Sequence, residues 1–258
     1  MSAVTPRPTA GSEFVWGLRL LGRGFGMYAK YPGLLLLGLI PAVIAFVVLL
    51  AAFVTLLVFL DDLGGWLAGS FAGGWSADAR RAAELLVEVT IVIGALWLSV
   101  LVYTALTLII GDPFYEKISE EIERRLGAVD HPELPWHKTL PRNAADSIRV
   151  IGTQLLLTIP VLLIGLVPFA GQVLAPILAL LIGGWLLSVD LTGIPFNRRG
   201  VFLQERRRVL RRHRALALGF GIPVAALALV PFANIVVVPA AIAGGTLLTR
   251  RVHGQPID

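Results

Sequence analysis

Cysteine is absent from the 258 residues, so disulfides, thiolate metal sites and cysteine nucleophiles are all excluded. Charge is scarce as well: 15% of the residues are Asp, Glu, Lys or Arg, against about 25% in an ordinary soluble domain. Histidines number four, His131, His137, His213 and His253. Only Asp130, His131, Glu133 and His137 fall near one another, and Pro132 and Pro135 deny them the helical i, i+4 pairing of a metal site. Gly22, Gly24 and Gly26 lack the spacing, the preceding strand and the following lysine and hydroxyl pair of a nucleotide loop. Packing against a neighbouring helix is the expected use of small residues there. The apolar runs contain no paired carboxylates. These gaps leave no catalytic constellation and no cofactor motif, and the chain reads as a non-enzyme.

What fills the chain is apolar sequence. Hydrophobic residues make up 56%, which identifies an all-α integral membrane protein with one membrane domain over residues 12–258. A stretch within it occurs twice. Ile159-Pro160-Val161 leads to Val167-Pro168-Phe169-Ala170 and Pro176, and sixty-three residues later Ile222-Pro223-Val224 leads to Val230-Pro231-Phe232-Ala233 and Pro239. A double glycine follows each copy, Gly183-Gly184 and Gly244-Gly245. The copies lie in uncharged runs, 150–189 and 215–249, and the Pro-Phe-Ala turn stops a helix near the middle of each.

Each run is therefore two short arms and a tip. Arms of about 16 residues span about 24 Å as helix, short of a hydrocarbon core of about 30 Å. The economical reading is two re-entrant, half-penetrating hairpins; ordinary spans kinked at proline are the alternative. Non-helical backbone at membrane depth must be buried in protein or line a wet cavity. The tips, Pro168, Gly171, Gln172, Pro231 and Asn234, are thus pathway candidates.

Before the repeats, residues 1–11 form a tail expected to be disordered. Residues 12–31 read as an interfacial amphipathic helix with Phe14, Leu18, Leu21 and Phe25 on one face, ended by Pro32. Residues 33–60, with Pro41 inside, form a first long span closed by Asp61 and Asp62; a glycine-rich loop, Gly64 to Gly74, leads to a second span at 85–110. Of the 22 Lys and Arg residues, only Arg80 and Arg81 lie between these two spans. By the positive-inside rule both termini and both basic segments are cytoplasmic.

Two cytoplasmic segments carry the polar residues. In 111–149, Asp112 is placed to cap a helix with Pro113 at its first position. Phe114, Ile118, Ile122 and Leu126 form its apolar seam, with a charged back of Glu120, Glu121, Glu123, Arg124 and Arg125. Either that back is solvated, or Glu120, Glu123 and Arg125 line a vestibule. The basic loop 190–214 carries the run from Arg198 to Arg214, which suits topogenic charge and anionic lipid. It holds no recognisable nucleic-acid-binding module, so no nucleic-acid partner is expected.

These residues resemble the CysZ-type sulfate permease family, within the wider etoposide-induced membrane protein family. Three stretches carry the likeness: Pro113-Phe114 leading to Glu120, Glu123, Arg125 and Leu126; Pro168, Gly171, Gln172, Ala175 and Pro176; and Pro231, Asn234, Pro239 and Ala240. The resemblance implies two long transmembrane helices with two half-penetrating hairpins in a bacterial inner-membrane homo-oligomer. It also implies channel-like or ion-coupled uptake of sulfate or a related small anion for sulfur assimilation. In the family a Pro-Gly-Leu or Pro-Gly-Ile segment at the start of the first span precedes two arginines that bind sulfate. Here Gly33 and Leu34 match, but Leu35 and Leu36 stand at the arginine positions. Arg19, Arg23 or Lys30 of the preceding helix are the expected substitutes. A permease for another solute and a non-transporting scaffold or envelope factor are the competing readings, and both draw on that departure.

Overall fold

A computed structural model describes residues 9–127, 152–230 and 233–258. The described residues are almost entirely helical. In chain order the helices are α1 (Ala10–Lys30), α2 (Pro32–Val58), α3 (Leu60–Ala72), α4 (Ala77–Arg125), α5 (Gly152–Gly165), α6 (Ala170–Leu191), α7 (Gly193–Arg198), α8 (Leu203–Arg212), α9 (Arg214–Ala228) and α10 (Asn234–Val252). Four stretches are long and apolar enough to cross a membrane: Pro32–Val58, Ala77–Arg125, Ala170–Arg198 and Asn234–Val252. The chain divides into two compact units, Met1–Gly38 with Tyr115–Asp258, and Leu39–Phe114.

The larger unit is organised on α1, α9 and α10. Thr9 caps α1 by accepting from the Ser12 N–H at 3.3 Å, and Tyr31 leaves the helix in extended conformation ahead of Pro32. Only half of the apolar face expected of α1 is covered: Leu21 is buried and Phe25 packs partly on the core. Phe14 and Leu18 are exposed, whereas Gly17, Leu20, Leu21, Gly24 and Tyr28 are buried. The reason is backbone contact: a Cβ on Gly17 would collide with the Leu216 carbonyl, and one on Gly24 would stand 2.6 Å from the Gly244 nitrogen. Absent side chains let the helices approach closely, as in membrane helix pairs generally. Of the glycine trio only Gly24 packs in this way, since Gly22 and Gly26 have open space beside them.

Around this crossing, Leu20, Phe220, Ala240, Ala243, Leu247 and Leu248 are wholly buried. The end of α4 joins them through Ile118 and Ile122, both at 0% exposure, as the apolar seam required. Ser119 and Thr246, both buried, satisfy one another at 3.0 Å.

Two stretches expected as loops are largely helical, and one expected helix start is not a start. The glycine-rich stretch is mostly α3 rather than loop; Asp61 and Asp62 occupy its first turn, where carboxylates oppose the helix dipole favourably. Its small side chains allow Ala68 and Ala72 to pack on Ala83 in the smaller unit. Asp112 and Pro113 lie inside the continuous α4 and start no new helix. Proline forfeits one backbone bond there, whereas ending the helix would orphan a full set of terminal groups. Within 190–214, α7 and α8 replace the expected loop. Leu203, Arg206 and Leu210 recur at helical spacing and are buried, so α8 is anchored along one face.

The first repeat breaks as its proline demands. Helix α5 ends at Gly165, Val167 to Phe169 are non-helical, and Phe169 takes a left-handed φ of 61° before α6 begins. The close turn requires Gly171, whose Cβ would strike the Ile164 carbonyl. In the second repeat α9 ends at Ala228 and α10 begins at Asn234; Pro231 lies outside the described residues, as do Asp130, His131, Glu133 and His137.

Candidate functional site

The start of α2 and the last turns of α4 line an open pocket of about 310 Å³. Gly33, Leu34 and Leu37 line one side and Lys117, Glu120, Glu121, Arg124 and Arg125 the other. Lys117, Glu120, Glu121 and Arg124 are three or four residues apart and so share a helical face. Thus the family-implied anion segment and two of the expected vestibule residues, Glu120 and Arg125, come together.

Charge pairing in this pocket is uneven. Glu121 is gripped by Arg124 at 2.6 Å and by Arg125 at 2.6 Å. The Arg124 hydrogen bond, with help from Arg125, holds the Glu121 carboxyl below the usual carboxylate range. Arg125 also lies 3.8 Å above the Tyr31 ring, a cation–π contact. Glu120 is taken by Arg198 at 3.2 Å. Lys117 has no ion pair or hydrogen bond among the described residues. Three cations face two carboxylates, and both carboxylates are already engaged.

The backbone contributes less than a free helix start would. Leu34 is buried and its N–H donates to the Tyr31 carbonyl at 2.9 Å; the Leu35 N–H also reaches that carbonyl, at 3.3 Å. Only the Gly33 N–H of this turn lacks an acceptor among the described residues, and Gly33 is exposed. Leu35 and Leu36 are exposed and do not line the pocket.

The remaining site candidates are elsewhere. Arg19 and Arg23 lie 5.6 and 5.7 Å from the Trp16 ring, beside Arg251 at 4.1 Å, and Arg23 pairs with Asp258 at 2.7 Å. Neither lines the pocket. Glu123 is not on the charged back of its helix: at 2% exposure it is buried between Arg250, at 2.5 Å, and Arg199, at 2.7 Å. Arg250 further donates to the Leu126, Gly127 and Pro256 carbonyls, so it closes the end of α4 and fastens the last residues of the chain. Of the tips, Pro168 and Gln172 are exposed, Gly171 is buried in its turn, and Asn234 opens α10 with its Oδ1 buried and without a hydrogen-bond partner among the described residues.

The profile of the family described as sulfate transporter CysZ/etoposide-induced protein 2.4 matches residues 20–239. The chain belongs to that family. Relatives named sulfate transporter CysZ include one from Pectobacterium atrosepticum, 32% identical over 142 residues covering 54% of this chain and 52% of the relative. One from Pseudomonas fluorescens is 33% identical over 156 residues, covering 59% and 62%. One from Vibrio cholerae is 29% identical over 149 residues, covering 57% and 60%. The chain thus spans between about half and three-fifths of the length of the curated relatives it matches.

Four residues of the pocket lining, Leu37, Lys117, Glu121 and Arg124, are not among the site residues the sequence suggests; Glu121 and Arg124 read there only as the charged back of the helix. The one sequence signal for the charged three is i, i+3 and i+4 spacing along α4.

Proposed function

We propose that the chain is a permease that admits sulfate, or a closely related oxyanion, across the bacterial inner membrane for sulfur assimilation. The observation that carries the reading is the cation-rich pocket set against the start of the first long span. A dianion cannot enter hydrocarbon bare, because losing its water is prohibitive unless polar groups replace it. The pocket supplies charge, and the buried Oδ1 of Asn234 at the second tip, which has no hydrogen-bond partner among the described residues, offers a polar group in the second repeat.

In this reading both repeats are half-penetrating hairpins with cytoplasmic ends. Gly152–Gly165 and Arg214–Ala228 span about 21 and 22 Å at about 1.5 Å per residue, short of the hydrocarbon core. Their partners α6 and α10 are longer. Pro168, Gly171, Gln172, Pro231 and Asn234 then border the path, Glu120 and Arg125 its vestibule, and the exposed apolar faces of α5 and α6 meet lipid or a second copy of the chain. Arginines 207, 208, 211 and 212 on α8 meet anionic headgroups, with both termini on the cytoplasmic side.

Leu35 and Leu36 in place of the family's arginine pair favour a second reading, a permease of the same fold for another solute. The test is uptake of labelled sulfate into proteoliposomes holding the full chain, alongside a variant carrying Leu35→Arg and Leu36→Arg. Saturable uptake by the unaltered chain is expected. Uptake by the double variant alone would establish a changed substrate, and uptake by neither would favour the scaffold reading.

A further inference from the structure

We infer that the charge the family places after its Pro-Gly-Leu segment is supplied in this chain from α4, with Lys117 and Arg124 forming a tetrahedral-oxyanion site at the Gly33 backbone. The inference rests on the permease reading for its biological meaning, but the site itself can be tested apart from transport.

Unneutralised charge on a concave, solvent-open surface carries the inference. Glu121 already binds two guanidinium groups and Glu120 a third, so neither carboxylate compensates Lys117. The Arg124 hydrogen bond, with Arg125, holds the Glu121 carboxyl below the usual carboxylate range, so the count of charges stands at neutral pH. With Arg198 on Glu120, four cations surround two carboxylates. Such an excess on a concave surface draws an anion, since charge in a cleft concentrates the field. The pocket volume, about 310 Å³, compares with about 30 Å³ for one water in the liquid, so a hydrated oxyanion fits.

The lining also has the right donors. Lys117 is exposed and unengaged among the described residues, and an ammonium offers three rotatable donors. Arg124 is 69% exposed and grips Glu121 through its fork, so it can exchange one carboxylate oxygen for a ligand oxygen without unpacking any core residue. Gly33 adds a backbone N–H with nothing crowding its Cα. Arg125, tied to both Glu121 and Tyr31, serves as a wall rather than a ligand. By contrast the arginines first expected to substitute, Arg19 and Arg23, are gathered at Trp16 and lie outside the pocket lining.

The experiment uses the full chain, purified, with a Lys117→Gln/Arg124→Gln double variant and an Arg208→Gln/Arg211→Gln control on α8. Both substituted pairs are exposed, so thermal unfolding in detergent should be unchanged in each. Calorimetric titration with sodium sulfate, and separately with phosphate and chloride, reads the site. Expected are saturable sulfate binding by the unaltered chain and the control, and a Kd raised about a hundredfold in the double variant, roughly tenfold per lost charge-assisted contact. Adding Leu35→Arg and Leu36→Arg to the double variant should restore part of the affinity. Equal binding by the double variant, or no binding by the unaltered chain, overturns the site. Proteoliposome uptake is the second arm: binding that depends on Lys117 and Arg124 without any uptake overturns the permease reading and leaves the site standing, while uptake indifferent to the pair overturns the site and leaves the permease.

Discussion

The two copies of the proline motif share a sequence pattern and occupy opposite environments. In the second, nearly every residue of α10 from Val237 to Arg250 is buried, and α9 buries Leu216, Phe220 and Val224. In the first, Leu155, Leu162, Leu166, Val173, Leu174 and Ile177 are all exposed, and apart from Gly171 in the turn α6 is buried only from Gly184 onward. The same apolar arms therefore serve as protein core in one place and as an outward apolar face in the other. What separates them is the company they keep: α1 lies against α9 and α10 through Gly17 and Gly24, and no such helix covers α5 or the first half of α6 among the described residues.

That contrast can be broken most severely at the foot of α10. Glu123→Ala would leave Arg250 and Arg199 as buried, uncompensated cations. The expected cost is about 3–5 kcal/mol, read as a large fall in the unfolding midpoint in detergent. Glu120→Ala, removing an exposed pair, should leave the midpoint nearly unchanged.

A finer comparison uses the double glycines. At Gly244 a Cβ would stand 2.8 Å from the Phe220 ring and 3.0 Å from the Leu20 carbonyl, so Gly244→Val should overpack the helix crossing by about 1–3 kcal/mol. Gly183 has open space around it, and Gly183→Ala should instead stabilise by about 0.5–1 kcal/mol through helix propensity. Opposite shifts in unfolding midpoint are the expected result; equal destabilisation would mean that the first copy is as enclosed as the second.

The smallest effect concerns pH. The carboxyl of Glu121 is lowered in the folded chain by Arg124 and Arg125, so its contribution is present above the ordinary carboxylate pKa and is lost as pH falls through the depressed value. Stability followed through the acid range should therefore decline less steeply in Glu121→Gln than in the unaltered chain. Because the pair is largely solvated, the difference should be slight and should shrink with added salt.

How legible this was differs by element. Helix-breaking by Pro168, the apolar seam of Ile118 and Ile122, and the extent of α1 could be read directly, because each follows from local backbone chemistry or periodicity. The buried face of α1 could not, since it is chosen by glycines that make backbone contact rather than by large side chains. Glu123 was indistinguishable in sequence from Glu120 and Glu121, and only the arrival of Arg199 and Arg250 makes its burial tolerable.

Composition and periodicity alone determined an all-helical membrane chain with a repeated proline break, because burying backbone in hydrocarbon permits little else. Tertiary structure decided which copy of the repeat became core, which carboxylate went inside, and which cations stand at the mouth of the first span. Those outcomes depend on residues more than seventy positions apart, such as Glu120 with Arg198 and Glu123 with Arg250, meeting in space. No local pattern encodes such a meeting, because the energies that select it are packing and charge pairing between elements rather than within one.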